Sequence, residues 1–136
     1  MQNLERMRDD IMNETLSMPL EPRVPLYIID VDDIGAFVAE AFHDRNRYAG
    51  KTFDLAGDEL TMSAMAARLS ESIGIDVLAD HVPIEKFEER AGEAYADMYR
   101  WFNRSEAPID VAELRTNHDV SFTLFEEYLH EHEWGE

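Results

Sequence analysis

Leu26-Tyr27-Ile28-Ile29-Asp30-Val31-Asp32-Asp33-Ile34-Gly35, followed by Ala36-Phe37-Val38-Ala39-Glu40-Ala41-Phe42, joins a strand-like run directly to a helical one. Leu26–Val31 is a short run of apolar and β-branched residues, the pattern of a buried strand. Asp32 or Asp33 is placed to cap a helix, because a carboxylate there accepts the unpaired N–H groups of the first turn. Ile34, Phe37, Val38, Ala41 and Phe42 then recur at helical spacing and predict one apolar stripe. A strand that feeds directly into an amphipathic helix is the repeating unit of an α/β fold.

Outward from this unit, Leu4–Met12 reads as a short helix, and Pro19, Pro22 and Pro25 exclude helix from the connection that follows it. Downstream, 52–56 (TFDLA) predicts a second strand, ended by Gly57 and Asp58. Thr61 is expected to cap a helix with Met62, Met65, Ala66, Leu69 and Ile73 inward, and Gly74 to stop it. Ile75–Val82 reads as a third strand. Pro83 opens the longest predicted helix, whose stripe is Ile84, Phe87, Ala91, Tyr95, Met98 and Phe102; residues 103–108 break it. Asp110 caps a short helix through Leu114. Thr123 and Glu126 form a capping box before Leu124, Phe125, Tyr128 and Leu129. The expectation is one α/β domain over 1–136, with three short strands and about six helices. Residues 1–60 carry the strand-rich part and 61–136 the mainly helical part.

The chain of 136 residues carries 30 acidic and 12 basic residues, a formal charge of −18, and only Lys51 and Lys86 are lysines. That charge repels nucleic-acid phosphates and anionic lipid, so neither is expected as a partner. It also opposes compaction unless salt screens it. Acids spread along the whole chain, with few lysines, fit a protein of concentrated salt. The absence of cysteine excludes disulfides and thiolate chemistry. No apolar run approaches membrane-spanning length and the first ten residues have no signal-like core, so the expected location is the cytoplasm.

Several segments resemble the C-terminal half of the NmrA-like family, atypical relatives of the short-chain dehydrogenases. Met1-Gln2-Asn3-Leu4 resembles the family's F-M-E-N-L stretch, with Gln2 where Glu is usual, and residues 30–35 resemble D-V-x-D-I-G. Residues 48–61 (YAGKTFDLAGDELT) resemble G-K-T-x-x-L-A-G-D-x-L-T, and Phe125-Glu126-Glu127-Tyr128-Leu129 resembles the F-E-E-[WY]-L ending. The resemblance implies a Rossmann-type NAD(P)-binding protein, either a redox-responsive regulator or a reductase. It implies a dinucleotide held on a glycine turn near the N-terminus, and a smaller C-terminal part over the cofactor.

That glycine turn is absent here. Gly35, Gly50, Gly57, Gly74, Gly92 and Gly135 have neither the G-x-G-x-x-G nor the G-x-x-G-x-x-G spacing, so the pyrophosphate has no close backbone approach. The dehydrogenase Tyr-x-x-x-Lys pair is missing too, since Arg47 and Val82 stand four before the two lysines. The expectation is therefore a C-terminal part without its own cofactor and without catalysis, whether a natural truncation, a start placed too far downstream or a shortened chain. NAD(P) is implied only for a full-length relative.

Candidate sites are few. The resemblance carries Asn3 toward the nicotinamide, against a frayed chain end. Tyr99 and Trp101 fall off the long helix's stripe, which suits a substrate-facing pocket or a partner contact as well as half-burial. His130, Glu131, His132, Glu133 and Glu136 crowd the C-terminus, but two His at i, i+2 leave a helix on different faces, so a solvated helix end is expected and no metal site. Asp30, Asp32 and Asp33 lack the spacing of a calcium loop. Three functions compete: the C-terminal part of an NAD(P)-binding regulator or oxidoreductase, a stand-alone interaction or small-molecule-binding module, and a homo-oligomer. For the last, a partner would cover the apolar edges of the strands at 26–31 and 52–56.

The charge generates a first prediction. Raising KCl from about 0.1 M to about 1 M shortens the Debye length from ~10 Å to ~3 Å. The thermal midpoint, followed by circular dichroism, is expected to rise across that range; a flat or falling midpoint contradicts salt adaptation.

Overall fold

The computed structural model describes residues 1–104 and 108–134, and its order of elements is mixed α/β. A 3₁₀ segment, Gln2–Met7, runs into α1 (Arg8–Met12), and Glu14 turns the chain with a left-handed φ of 68°. β1 (Thr15–Met18) follows, then β2 (Leu26–Ile28), α2 (Val31–His43), α3 (Arg45–Tyr48), β3 (Asp58–Leu60), α4 (Met62–Ile73) and β4 (Leu78–His81). α5 (Ile84–Ala91), α6 (Glu93–Arg104), α7 (Val111–Asn117) and α8 (Phe125–Glu131) complete the described chain. β1 and β4 pair in parallel, Thr15 opposite Leu78 and Met18 opposite His81. β2 and β3 pair antiparallel, Leu26 opposite Leu60.

Several expectations hold. Thr61 caps α4 by accepting from the Ala64 N–H at 3.3 Å, and Gly74 ends it at φ 73°, a conformation that costs a glycine nothing. Asp110 caps α7 through the Glu113 N–H at 2.9 Å.

Others are corrected. The described residues form four strands and eight α-helices, not three and about six. β1 was missed, because only four residues separate the α1 turn from Pro19. Residues 51–56 make no ladder; the strand lies at Asp58–Leu60, where β2 supplies a partner. The long helix is two helices broken at Gly92, whose φ of 92° no helix contains. That break rotates α6, so Ala96 is fully buried, Tyr99 packs on the core, and Tyr95 of the predicted stripe is 43% exposed. The helix break expected at 103–108 starts later than Asn103, since α6 runs to Arg104, and residues 105–107 lie outside the described residues.

α2 also begins earlier than expected. Asp30, not Asp32 or Asp33, is its cap, accepting from the Asp32 N–H at 3.0 Å. Asp33 is buried and turns to the far end of the chain, where it accepts from the Thr123 N–H at 2.7 Å and the Thr123 hydroxyl at 3.0 Å. The capping box predicted for α8 shifts by one residue. Leu124 is the cap and has no side-chain acceptor, but Glu127 reaches back to the Leu124 N–H at 2.7 Å. Asp58 accepts from the Phe125 N–H at 3.0 Å and so caps the helix from outside it.

Two cores result. Leu4, Ile11, Leu16, Leu69, Phe125 and Trp134 belong to the larger, between α4, α8 and the β1–β4 pair. Phe37, Tyr48, Leu114, Val120 and Phe122 form the smaller. Among the described residues no helix is long and apolar enough to cross a membrane.

Gly57 sits where these parts meet. It donates to the Ile28 carbonyl at 2.7 Å, accepts from Arg115 at 2.9 Å, and a Cβ on it would stand 2.5 Å from the Thr123 carbonyl oxygen. Gly57→Ala is therefore expected to cost about 1–3 kcal/mol of unfolding free energy, the usual penalty for overpacking against rigid backbone. Urea denaturation measures it; an unchanged midpoint would show that Thr123 moves aside freely.

Candidate functional site

The sequence-derived candidates meet, in part, in one cleft of about 310 Å³. Its walls come from the N-terminal segment, β2 and the residues after it, the start of α2, and α6. Asn3 and Tyr99 both line it; Trp101 does not. Trp101 is 60% exposed and stands edge-on to Phe102, centroids 5.6 Å apart. Tyr99 is held by rings on either side, Phe87 at 5.2 Å and Phe102 at 5.8 Å, both T-shaped. Burial raises its phenol above the ordinary range, so it stays a protonated donor.

The segments that resemble F-M-E-N-L and D-V-x-D-I-G build the cleft's corner together. The Gln2 amide donates to Asp30 at 2.8 Å, and its carbonyl accepts from the Val31 N–H at 3.3 Å. Gln2 thus bridges the cap of α2 and places Asn3 beside it. Burial pushes the Asp30 carboxyl up, but the Asp32 N–H and Gln2 amide that donate to it outweigh burial, and its pKa ends below the ordinary value.

A dinucleotide phosphate does not fit the residues present. Beyond the absent glycine spacing, Gly57 is taken up by Ile28, Arg115 and Thr123. The start of α2, the helix beside the cleft, carries Asp30, Asp32 and Asp33, which repel a phosphate where a helix would otherwise attract one. Among the described residues no three His, Asp or Glu come together to hold a metal. His132 stacks on Tyr128 at 4.1 Å and contacts its carbonyl oxygen at 3.0 Å, and Glu136 lies outside the described residues.

A second cleft, of about 510 Å³, opens between α2, α3 and residues 51–53. Behind it lies a buried polar cluster that spacing alone did not reveal, because its members stand 8 and 70 positions apart. The Tyr48 hydroxyl donates to Glu40 and lies 2.7 Å from His118 Nδ1. Arg47 stands 3.6 Å from the same carboxylate. Burial, and then Glu40, push Tyr48 up to about 12. The Tyr48 hydroxyl holds Glu40 below its ordinary value despite burial. The methionines of the first cleft were missed as well: Met65 reads as core, and nothing in its spacing marks the wall of a cleft.

The sequence pattern described as the NmrA-like family matches residues 1–129. None of the curated proteins is similar enough in sequence to count as a match. Among solved structures, the fold is similar to a nucleoside-diphosphate-sugar epimerase from Staphylococcus aureus: TM-score 0.79, 23% identity, 94% of this chain and 48% of that one. It is also similar to the triphenylmethane reductase of Citrobacter sp. complexed with NADP(H), at TM-score 0.70, 16% identity, 93% of this chain and 47% of that one. A second structure of the Citrobacter reductase gives TM-score 0.75 and 19% identity, with 93% of this chain and 47% of that one covered. The chain thus spans about half the length of the structures it matches.

The Tyr48–Glu40 pair fixes a pH dependence. Glu40 is depressed, so its contribution is present above its ordinary 4.5 and is lost as pH falls through the lower folded value. Tyr48 is raised, so its contribution is present below its ordinary 10.0 and is lost as pH climbs toward about 12. Glu40→Gln is expected to flatten the acid limb of a melting-temperature profile. Tyr48→Phe is expected to remove the alkaline limb and, by unpairing the half-buried Glu40, to cost about 1 kcal/mol at neutral pH. Limbs unchanged in both variants would place the pH sensitivity elsewhere.

Proposed function

Because the chain belongs to the NmrA-like family, we propose that it is the substrate-facing, C-terminal part of an NAD(P)-binding regulator or oxidoreductase, without catalysis of its own. The observation that carries this reading is the joint placement of Asn3 and Tyr99 in one cleft, from positions far apart in sequence. In the proposal Asn3 faces the nicotinamide side, Tyr99 faces the substrate, and Trp101 contacts what closes over the rim. The phosphates would be held by residues outside this sequence, which is consistent with a chain about half as long as the solved structures it matches. Function in concentrated salt belongs to the same proposal and rests on the charge of −18.

One observation favours a second reading, a module whose partner is a protein or another copy. α2 leaves Val31 54%, Ile34 40%, Val38 45% and Phe42 83% exposed, an apolar row along one side of the helix. Large exposed apolar faces mark association surfaces.

Calorimetric titration of NADPH and NADP⁺ into the folded chain in molar KCl tests the first reading. No binding and no NADPH oxidation are expected. Micromolar binding would sink it, since a phosphate site would then exist without a glycine turn. Sedimentation equilibrium of the same sample addresses the second reading: a dimer that Phe42→Glu dissociates supports it, and a monomer removes the homo-oligomer.

A further inference from the structure

The cleft that holds Asn3 and Tyr99 has a composition unlike the rest of the molecule. Five of the chain's seven methionines line it: Met1, Met7, Met18, Met65 and Met98. They come from five places, namely the chain start, the 3₁₀ segment, β1, α4 and α6. Thioether side chains are polarisable, adapt to irregular shapes and make favourable contacts with ring edges. A wall built of them receives flat π-systems without demanding one outline. Nearly a third of the chain's residues are charged, yet none of the sixteen residues lining this cleft carries a charged side chain.

Three polar side chains are left for orientation. Among the described residues nothing hydrogen-bonds to the Tyr99 or Tyr27 hydroxyl or to the Asn3 carboxamide, whereas Gln2, the other polar side chain of the lining, is paired with Asp30 and Val31. The volume of about 310 Å³ is at the small end for a ligand site and suits two or three fused rings.

We propose that this cleft binds a flat aromatic carbonyl compound of two or three rings without negative charge, its faces against the methionine wall and its carbonyl oxygen accepting from Tyr99. The proposal deepens the functional reading above and rests on it for the claim that the ligand is a substrate. The same composition argues against a sugar nucleotide. A diphosphate would meet no cationic side chain in the lining, where the one cation, the Met1 ammonium, is already turned to the Ile29 carbonyl, and sugar hydroxyls would lie against thioethers and aliphatic carbons that cannot pair with them.

The test uses chain labelled with carbon-13 at the methionine methyls, in molar KCl, titrated separately with 2-acetonaphthone and with UDP-glucose. Molar salt leaves apolar binding intact while it screens charge. The ketone is expected to shift the resonances of Met7, Met18, Met65 and Met98 and to leave exposed Met12 and buried Met62 in place. Tyr99→Phe, which keeps the ring, is expected to weaken the ketone roughly 2- to 10-fold, the net worth of one hydrogen bond. UDP-glucose is expected to shift none of the cleft methyls. The second cleft contains no methionine, so ketone binding without methyl shifts would place the ligand there and overturn the proposal. Equal or tighter binding of UDP-glucose at the same methyls, or no ketone binding at millimolar concentration by folded chain, would also overturn it. NADPH binding by the chain alone would overturn the reading of origin and leave the ketone result standing, so the two fail separately.

Discussion

Three consecutive N–H groups, those of Thr123, Leu124 and Phe125, each end on a different carboxylate, from Asp33, Glu127 and Asp58. The rest of the structure depends on that junction. The chain leaves the smaller core at Val120 and Phe122 and enters the larger one at Phe125, so these bonds lie where one core hands over to the other. A charge-assisted hydrogen bond contributes roughly 1.5–3 kcal/mol, and the positive start of α8 favours all three acceptors. Gly57 allows the contact to close, because any side chain there would meet the Thr123 carbonyl. The segments that resemble D-V-x-D-I-G, L-A-G-D and F-E-E-[WY]-L therefore serve architecture at this junction.

That assignment changes how the acidic residues are understood. Asp30, Asp33 and Asp58 look chemically inviting in the sequence, but each has backbone donors as its partners, and none lines either cleft. Acidity is spent on helix starts and on the solvated surface, and no carboxylate lines either of these two clefts. In a chain of charge −18 that segregation matters, because a carboxylate in an apolar cleft would either take up a proton or repel an anionic ligand.

Local rules were legible from residues alone wherever a single element answered to them. Thr61 and Gly74 bound α4 as cap and stop rules require, and Asp110 caps α7. What could not be read depended on long-range partners. Asp33 sits at a good capping position but is drawn across ninety residues to Thr123. Residues 52–56 have strand composition, yet a strand is defined by its neighbour, and β2 pairs with 58–60. The apolar stripe from Ile84 to Phe102 runs across Gly92 without a sign of a break, whereas the positive φ there turns α6 and exchanges Tyr95 for Tyr99 on the buried side. Of the candidate residues, Asn3 and Tyr99 meet in one cleft. The methionine wall around them could not be foreseen, since its members share no element and no period.

α2 has the apolar stripe its spacing demands, but only Phe37 of that stripe is deeply buried, while Ile34, Val38 and Phe42 remain accessible. Amphipathic periodicity records every surface a helix covers, including surfaces that another chain or another part of the same protein supplies. An exposed phenylalanine is ordinary when isolated and informative when it continues a row. Here the row runs from Val31 to Phe42 and its end lies beside Lys51 and Phe53, in a segment that joins no strand ladder among the described residues. The row adjoins the first cleft at Val31 and Ile34, so a partner that covered α2 would also border that cleft.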